Sequence, residues 1–137
     1  MQNRRLVLLG VALVLVTGLQ AGSVVLTANI PFEFTVGKVV LPAGEYRIVR
    51  AMNGPNWLAI SSRDGRHADT HAIPVYRFKD GPQRASLVFN RFGDQYFLHK
   101  VLSDASGVVA EIPESPKERE ARKLTASREQ LVILALR

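Results

Sequence analysis

The chain has 137 residues, a formal net charge of +6 and no cysteine. Without cysteine it can form neither disulfide bonds nor thiolate metal sites, so packing and backbone hydrogen bonds must hold any folded domain together. The charges are scattered, and their densest cluster, residues 117–123, mixes both signs. A nucleic-acid-binding protein would carry a patch of one sign with aromatic residues between the charges. The composition therefore argues against a nucleic-acid partner.

The N-terminal segment has the features of a secretory signal peptide. Two arginines at positions 4 and 5 precede an apolar run over residues 6–16, and small and polar residues follow it. The run is too short to span a bilayer, which requires about 20 apolar residues. Cleavage is expected after Ala21 or after Ser23. The second site fits the small-x-small rule better, so residues 1–23 are taken as the signal peptide. We therefore expect an exported protein, either periplasmic or extracellular.

The remaining residues, 24–137, predict a single β-rich domain. Turn-forming residues recur every eight to twelve positions, and the runs between them are rich in Val, Ile, Phe, Tyr and Leu. This spacing is typical of an antiparallel β-sandwich or barrel, here of about seven to nine strands. The candidate strands are residues 24–34, 39–41, 45–50, 57–61, 67–78, 85–92, 95–102 and 108–112.

Glycine and proline mark where these strands turn or break. Asp64-Gly65 and Gly93-Asp94 can supply the positive backbone φ that a tight hairpin needs, so we expect both at hairpin tips. Proline donates no backbone hydrogen bond and is confined to edge strands or bulges. We expect Pro31 to break the first strand and Pro74 to interrupt the 67–78 stretch.

A surface helix and a last strand follow. Ser115, Pro116 and Glu118 form a capping box with a proline at the first helical position, which predicts a helix over about 116–128. Its low apolar content places it on the surface, before the C-terminal strand. Residues 131–136 are all apolar, which predicts a strand buried on both faces. This strand could close the sheet within the chain or add to the open edge of a neighbouring molecule.

Four motifs extend over nearly all of the mature chain. PFEFTVGK at residues 31–38 and LPAGEY at 41–46 fit a PFxFxVG…LPAGxY opening. LVFNRFGDQYFL at 87–98 fits a hairpin motif, LVFNRxGDxYFL, and PESPKER at 113–119 fits a PxSxxER helix start. With these motifs the chain resembles a group of small secreted bacterial proteins. The resemblance implies a signal peptide and a β-rich domain, and it supplies no activity and no catalytic residues.

His67, Asp69 and His71 form the most suggestive group of polar residues. Alternate residues of a strand share a face, so the three side chains would line up. Two imidazoles and a carboxylate can hold zinc, but zinc ligands must converge at about 2 Å from one ion. Same-face side chains of a strand are about 6.6 Å apart. The sequence therefore favours a solvent-facing polar edge over a metal site, and no cofactor is predicted.

Two glutamates and two serines are the catalytic candidates. Glu33 and Glu45 would serve a glycosidase only across a cleft, at a separation of about 5 Å or about 6.5–9.5 Å. A domain this small favours surface ion pairs with Arg47 or Lys38 instead. Ser61-Ser62 lacks the GxSxG pattern of a nucleophile elbow and indicates a strand end. The sequence predicts no catalytic residue and no enzyme.

Six aromatic residues could form a platform on which sugars stack. Because large aromatic side chains dominate the cores of small domains, most of them should be structural. Trp57 follows a Gly-Pro-Asn turn and is the best candidate for an exposed ring on a binding surface. The other five are Tyr76, Phe89, Phe92, Tyr96 and Phe97.

These observations predict an exported, non-catalytic binding or structural module of the bacterial envelope or exterior. Its partner would be an envelope polymer, to which a mildly basic surface is attracted, or a second copy joined through the C-terminal strand. The alternative is a carrier of an apolar small molecule inside a barrel, which about eight strands can enclose. A carrier requires an apolar cavity of roughly 300 Å³ or more, whereas a binding module has a filled core and an exposed surface.

Overall fold

Strands dominate the chain, as the spacing of its turn residues predicts. The computed structural model describes residues 24–50, 56–76, 84–103 and 108–136, and the predicted signal peptide lies outside these ranges. Within them the chain forms eleven strands and a helix, α1, which is Pro116–Leu124. The strands are β1 Val24–Ile30, β2 Phe34–Val36, β3 Val39–Leu41, β4 Gly44–Arg50, β5 Trp57–Ser61, β6 His67–His71, β7 Ile73–Tyr76, β8 Ser86–Phe92, β9 Gln95–Leu102, β10 Val108–Glu111 and β11 Glu129–Leu134.

The first sheet has four antiparallel strands in the order β1-β4-β5-β6. β5 and β6 form a hairpin in which Ser61 lies opposite His67 and Trp57 lies opposite His71. The loop between them is closed by a hydrogen bond of 2.9 Å from the Ser62 N–H to the Arg66 carbonyl. Asp64-Gly65 lies at the tip of this hairpin, as predicted, within a loop longer than two residues.

The second sheet has the order β11-β8-β9-β10-β7, and the β2–β3 hairpin joins it along one side of β9. β2 runs parallel to β9, with Thr35 opposite Phe97. Gly93-Asp94 forms the tip of the β8–β9 hairpin, as predicted. After β11, the Leu136 N–H donates a 2.8 Å hydrogen bond to the Thr27 carbonyl of β1. The two sheets therefore curl into the sandwich-like half-barrel that the sequence predicts as a fold class.

The core lies between the sheets, where strand alternation directs the apolar side chains. Phe34 of β2 contacts Tyr46 and Phe89 edge to face, with ring centroids 5.1 Å and 5.5 Å away. The Tyr46 hydroxyl donates to the Pro42 carbonyl at 2.7 Å, which satisfies this buried polar group, and burial raises the pKa of Tyr46. Other fully buried core residues are Ile30, Val36, Ile48, Ile60, Leu87 and Val101.

Helix α1 begins at the predicted capping box. The Ser115 hydroxyl accepts a hydrogen bond from the Glu118 N–H at 3.2 Å. The helix ends at Leu124, earlier than predicted, because the β-branched Thr125 takes an extended conformation with φ −122° and ψ 132°. α1 has nine residues, and the described ranges contain no helix that is long and apolar enough to cross a membrane.

Glu118 connects α1 to the outer face of the second sheet. Its side chain is 5% exposed, and Oε1 accepts a 3.0 Å hydrogen bond from Nδ2 of Asn90 in β8. Asn90 Oδ1 in turn accepts from Nε2 of Gln130, in β11, at 3.2 Å. A buried carboxyl group needs such partners, and burial raises the pKa of Glu118. The three side chains tie the helix to two neighbouring strands.

The 67–78 stretch divides at Ala72, so the predicted interruption at Pro74 is wrong. Pro74 lies inside β7, opposite Ala110 of β10. β7 is the last strand of its sheet, where a residue without an N–H is tolerated. This division and the short β2–β3 hairpin raise the count to eleven described strands, and residues 77–78 lie outside the described ranges.

The C-terminal strand belongs to the sheet, over residues 129–134 rather than the predicted 131–136, and is half-buried on one face and exposed on the other. All six residues of β11 pair with β8. Val132 and Leu134 are 58% and 49% exposed, so the predicted burial on both faces is wrong. Val132 and Leu134 stay exposed because α1 covers a different part of this outer face, around Phe92 and Phe97.

Replacing Gly93 with valine should destabilise the protein by roughly 1–3 kcal/mol. Gly93 has a φ of +60° at the hairpin tip, and β-branched residues tolerate this conformation poorly. An added side chain would meet no atom within 4 Å, so the loss would come from the backbone alone. Urea denaturation measures the free energy of unfolding. Gly93→Asn is the control, because asparagine accepts positive φ, and equal losses for both variants would contradict this explanation.

The protein should lose stability as the pH rises through the raised pKa of Glu118, and Glu118→Gln should remove that loss. Because burial raises the folded-state pKa above the unfolded value, this contribution to stability is complete below the unfolded pKa and is lost as the pH rises through the folded pKa. Glutamine keeps an acceptor for Asn90 but does not titrate. Melting temperatures of both proteins from about pH 4 to about pH 7 provide the test. A difference between them that is constant with pH would contradict it.

Candidate binding surface

The outer face of the first sheet is polar and carries an exposed aromatic ring. Strand alternation directs Trp57, Ala59 and Ser61 of β5 outward, while Leu58 and Ile60 are buried. Small side chains therefore occupy the centre of the face, with polar residues on both sides. The residues opposite them in the neighbouring strands are Arg47 and Val49 of β4 and His67, Asp69 and His71 of β6.

Trp57 is 41% exposed, in the position that the sequence suggested for a surface ring. It lies opposite His71, and the two rings meet edge to face with centroids 5.2 Å apart and planes inclined at 80°. This contact restricts the rotation of the indole and leaves part of the ring open to solvent. The face therefore has an apolar platform with a defined orientation.

His67, Asp69 and His71 share the exposed face of β6, as the alternation predicts. His67 Nε2 lies 3.0 Å from Asp69 Oδ2, whereas the His71 ring contacts Trp57. Within the part of the chain that the structure describes, no three His, Asp or Glu side chains are grouped so as to hold a metal ion. The three residues form a polar edge that offers hydrogen-bond donors and acceptors.

A groove of about 480 Å³ lies at the other end of the same face. Its lining includes Thr27, Arg47 and Ser61, together with Glu45 and Arg63. Glu45 Oε1 and Arg63 Nη2 are 3.9 Å apart, and both side chains are exposed. Such a pair adds little stability and remains accessible to a ligand. Ser61, in the groove, lies four positions after Trp57 on β5, which is about 13 Å along the strand.

The two glutamates lie on separate surface grooves. Glu33 is exposed and lines a second groove of about 290 Å³. Glu45 approaches Arg63 rather than the expected Arg47 or Lys38, because the β5–β6 loop lies beside the start of β4. Glu45 is thus part of the polar face, and Glu33 is not.

The two serines have local roles. Ser61 ends β5, as predicted. The Ser62 hydroxyl donates to the Asp64 carboxylate and accepts from the Arg66 N–H at 3.1 Å. The hydrogen bond from Ser62 lowers the pKa of Asp64. Ser62 therefore organises the hairpin loop that carries the groove.

The other described aromatic residues of the proposed platform support the fold. Tyr96 is half-buried: it stacks on Phe32 with ring centroids 4.0 Å apart, and the Arg91 guanidinium lies 5.4 Å from its ring centroid. The Tyr76 side chain lies outside the described structure. Trp57 is thus the exposed ring of the set among the described residues. The remaining aromatic residues of the set are buried, at most 3% exposed: Phe89, Phe92 and Phe97.

Arg47, Thr27 and Arg63 belong to the face but were not identified as site residues from the sequence. Alternation along β4 does place Arg47 on one side of its strand. Only the strand order β1-β4-β5 brings it beside Thr27 and Ser61. Arg63 lies in a loop, so no periodic pattern indicates its position.

Known proteins do not assign a function to this surface. A scan of protein-family models and searches of curated proteins and of solved structures found no match to the chain. The surface is therefore interpreted from its own geometry.

Adding zinc should leave the melting temperature of the protein unchanged. His67 and Asp69 are close enough to share an ion, but the His71 ring lies against Trp57 instead. Thermal denaturation with and without excess zinc checks this. A stabilisation by zinc that His71→Ala abolishes would show that the three residues rearrange into a metal site.

Proposed function

We propose that the protein is an exported, non-catalytic binding module whose first-sheet outer face binds a carbohydrate polymer of the envelope or exterior. The observation that carries the proposal is the exposed Trp57 ring, held against His71 on the same face as a polar groove. Export is supported by the N-terminal charge and apolar pattern. The resemblance to small secreted bacterial proteins supports the same location.

The indole of Trp57 suits the flat side of a sugar ring. Its π system is negative on both faces, and the C–H groups on one side of a pyranose carry slight positive charge, so the two attract each other when stacked. Ala59, the next outward residue of β5, has only a methyl side chain. A ligand over Trp57 can therefore continue along the strand without a steric obstacle, which favours an extended ligand.

The polar residues around the ring match the hydroxyl groups of a sugar chain. The His67–Asp69 pair lies on one side of β5, and Arg47 lies on the other. Charges of both signs occur along the face, including the Glu45–Arg63 pair at its end. Alternating signs suit a neutral or weakly charged polymer better than a polyanion, because complementary potentials favour binding.

The packed interior favours a binding module over the alternative carrier function. A carrier needs an apolar cavity of roughly 300 Å³ or more. Phe34, Tyr46 and Phe89 each have under 2% of their surface exposed, and the Phe34 ring contacts the other two rings between the sheets. An apolar ligand would have to displace these aromatic contacts to enter.

Binding should be visible through Trp57 itself. The sequence contains one tryptophan, so the intrinsic fluorescence of the purified protein reports this ring alone. Titration with soluble neutral glucans and N-acetylated glycan chains should change the emission in a saturable way for the bound class. In Trp57→Ala, the Kd measured by calorimetry should rise about tenfold or more, since burying a large apolar side chain contributes about 1.5–3 kcal/mol.

Two further variants make this result specific. Trp57→Phe keeps an aromatic face and should retain most of the affinity. Leu124→Ala changes an 85% exposed position on α1, away from the face, and should leave the Kd unchanged. No saturable signal across the glycan panel, or an unchanged Kd in Trp57→Ala, would contradict the proposal. An apolar molecule found bound by native mass spectrometry would favour the carrier instead.

A further inference from the structure

A row of hydrogen-bond donors crosses three strands of the first sheet and lines the groove on its outer face. Arg47 of β4 lies opposite Thr27 of β1 on one side and opposite Ser61 of β5 on the other. All three residues line the groove of about 480 Å³. A guanidinium only donates hydrogen bonds, and each hydroxyl can donate one. We call Thr27, Arg47 and Ser61 the donor row.

The guanidinium of Arg47 is the charged group of the donor row, and it is available to a ligand. Arg47 is exposed. In the described part of the chain, four other arginines lie 2.7–3.9 Å from a carboxylate oxygen, whereas Arg47 has no such partner. Its planar fork of N–H groups can therefore hold a carboxylate from outside the chain through two parallel hydrogen bonds.

The charges on either side of the donor row limit what it can bind. Glu45 lies two positions before Arg47 in the same groove, but its carboxylate approaches Arg63 at 3.9 Å. The groove lining thus holds two arginines and one carboxylate, so its net charge is positive. In the direction of the indole, Asp69 occupies the next row, opposite Ala59. The donor row therefore suits a group with a single negative charge whose neighbours along the ligand are neutral.

The donor row and the indole are too far apart to hold the same sugar. Ser61 lies four positions after Trp57 on β5, about 13 Å along the strand. This distance is longer than one pyranose ring. Ala59, the outward residue between them, has only a methyl side chain. A polymer that stacks one sugar on Trp57 and continues along β5 therefore places a different sugar over the donor row.

We propose that the donor row binds the carboxylate of an acidic sugar in the polymer whose neighbouring sugar stacks on Trp57. This inference rests on the proposed carbohydrate function and specifies the ligand class, a polymer in which uronic acids are separated by neutral sugars. Arg47 donates to both carboxylate oxygens, and the hydroxyls of Thr27 and Ser61 bind polar groups of the same sugar. A phosphate monoester carries up to about two negative charges and fits less well beside Glu45.

Calorimetry with matched oligosaccharides tests the assignment. The probe is a short oligosaccharide that alternates glucuronic acid with N-acetylglucosamine, and its reference is the same chain with each carboxyl group reduced to a primary alcohol. The acidic form should bind about tenfold or more tightly, because the reference lacks the charge-assisted hydrogen bonds. Arg47→Met should bring the two dissociation constants close to equality. Circular dichroism confirms that the variant is folded.

Two control variants separate this proposal from the stacking of a sugar on Trp57. Arg119→Met removes the same charge from an exposed arginine of α1, which packs on the other sheet. It should leave the ratio of the two dissociation constants unchanged. Trp57→Ala should weaken both forms by a similar factor, so the ratio should again be kept. The absolute affinity thus tests the stacking, and the ratio tests the donor row.

Four results would contradict the assignment. Equal binding of the two forms by the unaltered protein would overturn it and leave the carbohydrate function standing. A preference for the acidic form that Arg47→Met retains would show that another basic residue holds the acid. Tighter binding of phosphorylated than of carboxylated oligosaccharides, lost in Arg47→Met, would assign the donor row to phosphate instead. No binding of either form, or of any glycan in the panel above, would contradict both proposals.

Discussion

The edge-to-face contacts of Phe34 hold the two sheets together. Phe34 lies on β2, which joins the second sheet through β9, yet its ring meets Tyr46 of the first sheet as well as Phe89 of the second. Because the chain has no cysteine, no disulfide supplements these contacts. The positions of the two outer faces relative to each other depend on this packing, and so does any function that uses them together.

The two outer faces differ in the side chains that they expose. The first sheet exposes polar residues and one indole, and a face of this kind is stable in water without a cover. The second sheet exposes apolar residues beyond the reach of α1, and these gain from burial.

Features that are determined by residues close together in the sequence could be predicted. The Gly93-Asp94 turn, the Ser115 cap and the outward direction of Trp57 along β5 each follow from a short segment. The break at Ala72 could not be predicted, because Pro74 is acceptable only once β7 is known to be an edge. The exposure of Val132 was missed for a similar reason, since an apolar run has the same pattern whether both of its faces are buried or only one is.

The candidate surface shows the same division between local and long-range information. The sequence indicated that His67, Asp69 and His71 share a face, and strand alternation is sufficient for that. The contact of His71 with Trp57 depends on the pairing register of two strands, and the Glu45–Arg63 pair depends on where a loop lies. The Glu118–Asn90 hydrogen bond joins residues 28 positions apart and requires the helix to be docked. Such arrangements follow from tertiary packing rather than from motif spacing.

Pro74 in β7 has a consequence for how copies of this protein can grow into larger structures. β7 ends its sheet, and the missing N–H of Pro74 interrupts the ladder that an added strand would need. At the opposite end of the sheet, the Leu136 N–H is already bonded to Thr27. Addition of a further strand is therefore disfavoured beside Pro74 and, at the other end of the sheet, beside Leu136.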